Sequence, residues 1–104
     1  MVPPGDNLEF FEGETYKSRV KSSPELSGEI VAFLKCWPKA GREICPGIRL
    51  AKILVSGEEF GVFVRRKKNA MGLIYVFQLP QEEQAMNERE KLILSEFESG
   101  GNHE

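Results

Sequence analysis

The chain predicts an α+β domain in which helices pack on an antiparallel sheet, and three observations carry that prediction. Between Gly47 and Gln81, three segments rich in Ile, Leu, Val, Phe and Tyr follow one another: Ile48–Val55, Phe60–Arg66 and Leu73–Leu79. Only the turn sequences Val55-Ser56-Gly57-Glu58 and Lys68-Asn69-Ala70-Met71-Gly72 separate them, which reads as a three-stranded antiparallel meander. Ahead of the meander, Leu26, Ile30, Phe33, Leu34 and Trp37 recur at helical spacing. Behind it, Pro80 stops the last strand and Gln81–Phe97 has high helix propensity. Helices flanking a meander give a layered α+β arrangement.

In chain order, Met1–Asn7 reads as a flexible lead with Pro3-Pro4-Gly5, and Leu8–Phe11 as a short first strand that Gly13 ends. Glu14–Lys21 predicts a short helix with Tyr16 and Val20 inward and Lys17, Arg19 and Lys21 outward. Ser23-Pro24-Glu25 has the chemistry of a helix start: a capping hydroxyl, a proline tolerated in the first turn, and a carboxylate at the positive end of the dipole. Pro38 ends that helix, which should lie across one face of the meander with Trp37 near its edge. Lys39–Gly47, punctuated by glycine and proline, reads as a connecting loop.

Within the meander, Phe60, Val62 and Val64 alternate with Gly61, Phe63 and Arg65. Leu73, Tyr75, Phe77 and Leu79 alternate with Ile74 and Val76, so both sets are apolar and the last strand should be covered on both faces. A rival reading makes Ser56–Met71 the recognition helix of a small winged-helix DNA-binding transcriptional regulator. Against it, glycine within Phe60–Val64 costs a helix interior about 1 kcal/mol, and an apolar stripe would have to continue at Lys67 or Lys68. Gln81–Phe97, with apolar residues at Ala85, Met86, Ile93 and Phe97, reads as a mostly solvated closing helix, and Ser99–Glu104 as a frayed tail. A single domain over residues 8–98 follows.

The chain has no basic start with an apolar run after it and nothing near the roughly eighteen apolar residues of a membrane span, so the expectation is a cytoplasmic protein. Cys36 and Cys45 are too few for a disulfide framework, and with His103 in the tail they make no zinc site. Glu58-Glu59 and Glu82-Glu83 lack partners of metal-ligating type, so neither a metal nor any other cofactor is expected. Gly57 and Gly72 read as turn glycines. Charge is uneven. Residues 1–80 carry 12 Lys and Arg against 9 Asp and Glu, and residues 81–104 carry 2 against 7. A mildly basic body with an acidic terminal helix can meet an anion on one side and repel it on the other. The densest basic run is Arg65-Arg66-Lys67-Lys68 at a hairpin end, suited to nucleic-acid phosphates and equally suited to keeping a sheet edge solvated.

The layout resembles that of RelE/HigB-type toxins of bacterial type II toxin–antitoxin pairs over roughly residues 8–98. The resemblance rests on Leu8–Glu12 as an opening strand, Tyr16–Val20 as a first helix, and Ile30–Leu34 with Trp37-Pro38-Lys39-Ala40-Gly41 and Ile44-Cys45-Pro46-Gly47 as a second helix and its link to the sheet. Ile48–Lys52, with Arg49 and Lys52, is similar to the family's strand with two spaced basic residues, and Asn87–Lys91 to the start of its terminal helix. Two positions depart from the pattern: Gly61 stands where the family's central strand carries an arginine, and Leu79-Pro80-Gln81, followed by Glu82 and Glu83, stands where it carries an aromatic residue and a lysine.

Such a resemblance implies a small endoribonuclease, an mRNA interferase that cuts messenger RNA on the ribosome and is silenced by a partner antitoxin. The departures imply weakened cleavage, or a catalytically inactive protein-binding member of the fold. The reaction activates a ribose 2′-hydroxyl, stabilises a phosphorane and protonates the leaving 5′-oxygen, which Arg and Lys can support electrostatically without metal. The candidates for catalysis are Arg49, Lys52, Arg65 and Arg66, and those for binding nucleic acid are Arg65, Arg66, Lys67 and Lys68.

Overall fold

The computed structural model describes residues 8–101. The expectations about Met1–Asn7 and His103 lie outside them. The elements run β1 (Glu9–Glu12), α1 (Glu14–Val20), α2 (Pro24–Cys36), β2 (Arg42–Cys45), β3 (Ile48–Val55), β4 (Glu58–Lys67), β5 (Ala70–Leu79) and α3 (Glu83–Gly101). One mixed sheet takes the strands in the order β1-β5-β4-β3-β2, with β1 parallel to β5 and every other pair antiparallel. The meander β3–β4–β5 is its centre, as the sequence predicts, but the sheet has five strands among the described residues.

One of the two outer strands has a local cause and the other a long-range one. Arg42–Cys45, expected to be loop, folds back on β3 through the two residues Pro46 and Gly47, with Cys45 opposite Ile48 and Gly47 at φ 88°. Proline followed by a positive-φ glycine is the chemistry of a type II turn, so the punctuation makes a hairpin here. At the other edge β1 lies beside β5 with Phe10 opposite Met71, a pairing that spans most of the chain and is therefore invisible to local pattern. The β3–β4 turn puts Ser56 and Gly57 at φ 52° and 82°, the two positive-φ positions of a tight I′ hairpin.

Helices cover both faces. On one, Tyr16, Val20, Ile30 and Leu34 of α1 and α2 pack with Ala51, Ile53, Val62, Val64, Met71, Leu73 and Val76. On the other, Met86 and Ile93 of α3 pack with Ile48, Leu50, Phe63, Phe77 and Leu79. The expected double cover of β5 is therefore present, with a different set on each side. A bulge opposite Phe63 and Val64 inserts an extra residue in β5, so Leu73 pairs with Val64 while Tyr75 pairs with Phe63. Leu73 thus joins the α1–α2 face and Tyr75, Phe77 and Leu79 the α3 face, where simple alternation puts all four together.

Several element ends differ from the pattern-based expectation. Ser23 occupies the N-cap position of α2 but makes no side-chain cap hydrogen bond. Gly72 is inside β5, opposite Arg65, and the β4–β5 turn is Lys68-Asn69, with Lys68 at φ 38°. α3 continues through Ser99 to Gly101, where a tail is expected; Ala85 and Phe97 on it are exposed, in keeping with a mostly solvated helix. The buried polar contact between layers is a chain: Tyr16 Oη and Ser27 Oγ lie 2.9 Å apart, and Ser27 Oγ donates to Glu12 at 2.6 Å. It ties β1, α1 and α2 together, and burial pushes the Tyr16 phenol up.

Candidate functional site

The end of the β4–β5 hairpin forms a cleft of about 460 Å³ against α3 and the β2–β3 turn. Arg65, Arg66, Lys67, Tyr75 and Glu96 supply its polar lining, and Cys45, Ile48, Ile93 and Phe97 much of the rest. Arg65 is opposite Ile48, on the α3 face, and strand alternation puts Lys67 on the same face; Arg66 is opposite Met71, on the α1–α2 face. Lys68 belongs to the turn. Arg66 is held at both ends: its backbone N–H donates to the Gly47 carbonyl at 2.7 Å and its Nε to the Lys68 carbonyl at 3.2 Å. Burial pushes the Cys45 thiol up, against the opposing pull of Arg65.

The other two catalytic candidates are elsewhere. Arg49, opposite Val64, turns its guanidinium onto the loop after α2, donating to the carbonyls of Lys39 at 2.9 Å, Ala40 at 3.3 Å and Gly41 at 2.7 Å. Three backbone acceptors on one guanidinium make Arg49 the clamp that holds this loop over the sheet edge. Lys52 is exposed on the opposite face, paired with Gly61. Of the four, the structure therefore brings Arg65 and Arg66 to one cleft and leaves Arg49 and Lys52 apart from it and from each other.

The two departures from the family pattern also have structural meaning. Gly61 is buried, and a Cβ there would lie 2.5 Å from the Met86 sulfur of α3. It is four residues along β4 from Arg65, roughly 13 Å in an extended strand. Past the other end of β5, Glu82 accepts the Gln78 N–H at 2.7 Å and pairs with Arg19. Burial pushes the Glu82 carboxyl up, but the Arg19 hydrogen bond and the Gln78 N–H outweigh it and hold it below the usual carboxylate range. This carboxylate fastens the start of α3 and lies remote from the cleft.

α3 closes the rest of that face. Arg89 sits with its guanidinium carbon 4.3 Å from the Tyr75 ring centroid, and Glu90 takes both ends of the Arg42 guanidinium at 2.8 and 2.5 Å, which lowers its pKa. Tyr75, read from the sequence as a core residue, is half-buried and faces the cleft; Glu96 has no signal of its own in an acidic helix. Among the described residues, no group of three or more His, Cys, Asp or Glu side chains could hold a metal ion, and no helix is long and apolar enough to cross a membrane. Comparison of the chain with protein-family models, with curated proteins and with solved structures found no match.

Proposed function

We propose that this chain is a RelE/HigB-like toxin: a metal-independent endoribonuclease of weakened activity that engages messenger RNA on the ribosome in the cytoplasm and is restrained by an antitoxin protein. The observation that carries the reading is the cleft in which Arg65, Arg66 and Lys67 meet Tyr75 and Glu96. Arg65 and Lys67, whose side chains share the α3 face, can carry the charge of a phosphorane, with Arg66 at the rim. Glu96 and Tyr75 can take the proton of the attacking 2′-hydroxyl and return one to the departing 5′-oxygen, so that the P–O2′ bond forms as P–O5′ breaks. Lys68 adds support: it holds a positive φ at a turn position that glycine favours, a strain more readily understood if its charge is needed there.

The winged-helix alternative needs a recognition helix over Ser56–Met71, and that segment is the strand β4, a turn and the start of β5. The catalytically inactive binding protein has a specific observation in its favour, the Met86 side chain closed over Gly61 where the family pattern has an arginine. Binding separates function at the hairpin end from mere solvation. Replacing Arg65, Lys67 and Lys68 together by Glu is expected to weaken association with single-stranded RNA and to flatten the plot of log affinity against log salt. The slope should fall by about 0.7 for each phosphate that is no longer neutralised. An unchanged slope assigns these charges to solubility.

A further inference from the structure

Trp37, the chain's single tryptophan, caps the C-terminal end of α2 and is 62% exposed. Its backbone is fixed, with the N–H donating to the Phe33 carbonyl at 2.9 Å and the carbonyl accepting from Ala40 at 3.1 Å. The loop beside it is fixed too, by the Arg49 clamp. Between them opens a hollow of about 700 Å³ lined by Phe33, Trp37, Pro38 and Ala40 on the apolar side and by Lys39 and Arg66 as its charged groups, with no carboxylate. Arg66 also lines the basic cleft, and its Nε bond to the Lys68 carbonyl joins the two surfaces.

A large aromatic ring on a rigid support, flanked by cations and continuous with a phosphate-binding end, has the composition of a stacking platform for single-stranded nucleic acid. The charge pattern selects the occupant: a planar base followed by an anionic backbone satisfies both the indole and the two cations, whereas an apolar peptide leaves Lys39 and Arg66 without partners.

We propose that this hollow takes one unstacked base of single-stranded RNA on the Trp37 indole, with the adjoining phosphate on Lys39 and Arg66. The proposal rests on the RNA-binding reading of the hairpin end and extends it to a second point of contact, one that recognises bases through their rings.

Because Trp37 is the only tryptophan, its fluorescence reports the contact directly. Titration of the protein with oligouridine about a dozen nucleotides long should quench that emission. Trp37→Ala should weaken binding, measured by anisotropy of the labelled oligomer, by about 5- to 150-fold, and Trp37→Phe should restore most of the loss. The exposure of the ring means that these variants keep the fold, which circular dichroism checks. A duplex of equal length should bind through its phosphates without quenching. If the oligomer binds with Trp37 unquenched and Trp37→Ala binds equally well, the stacking platform is overturned while the hairpin-end reading stands. If the unaltered protein binds no RNA at all, both fall together.

Discussion

Phe63→Ala should remove a large part of this domain's stability. Phe63 is fully buried at the centre of β4 and meets Tyr75 and Phe77 edge-to-face at 6.1 and 5.9 Å between ring centroids. Truncating a core phenylalanine costs about 3–5 kcal/mol, a large part of the roughly 5–15 kcal/mol by which a small domain is stable. The loss falls on the layer between the sheet and α3, so α3 should loosen first. A urea titration followed by far-ultraviolet circular dichroism should show the midpoint displaced far downward or the transition absent. Phe97→Ala, at a position 46% exposed on α3, should change the unfolding free energy by no more than about 0.5 kcal/mol.

Gly41→Ala should be comparably damaging, for a reason that lies in the backbone. Gly41 has φ 84°, and a Cβ there would fall 2.1 Å from the Leu50 carbonyl oxygen and 2.7 Å from the Ala51 Cα. Positive φ alone costs a side-chain-bearing residue about 1–3 kcal/mol, and the obstructing atoms are main chain that cannot swing aside. Relief requires β2 to move off β3, which takes with it the three carbonyls that Arg49 holds. Gly57→Ala separates the two costs, since Gly57 has φ 82° but nothing within 4 Å of its would-be Cβ. Thermal melts of the two variants should show a modest shift for Gly57→Ala and a much larger one for Gly41→Ala; equal shifts would show that the clash is relieved elsewhere.

The sequence made the middle of this fold legible and left its edges obscure. Ile48–Val55 is found at the expected bounds because its apolar run and flanking turns are all local signals. Ile30 and Leu34 are buried as the helical spacing implies, and Trp37, expected near the edge, is exposed where it caps the helix. β2 escapes pattern reading because four residues, Arg42–Cys45, are too few to show alternation; β1 is read as a strand, but its place beside β5 is not, because its partner lies some sixty residues away. The bulge opposite Phe63 is a property of two strands together, so the crossing of Leu73 to the other face could not be read from β5 alone.

The candidate site was legible in part. Four consecutive cations before a turn are visible in any reading, and strand alternation already separates Arg49 from Lys52. What the local sequence does not carry is that Arg49 is consumed by backbone carbonyls, or that α3 returns Glu96 to the side of Tyr75 and the Arg65 end of the sheet. Both depend on the packing of residues far apart along the chain.

Cleavage itself is the most direct measurement. Purified protein added to translating ribosomes is expected to cut messenger RNA slowly. Arg65→Ala should reduce the rate by a further hundred- to thousandfold, the loss of one positioned charge at a phosphorane. An intact messenger RNA at every protein concentration would contradict the account in favour of a binding protein of the same architecture.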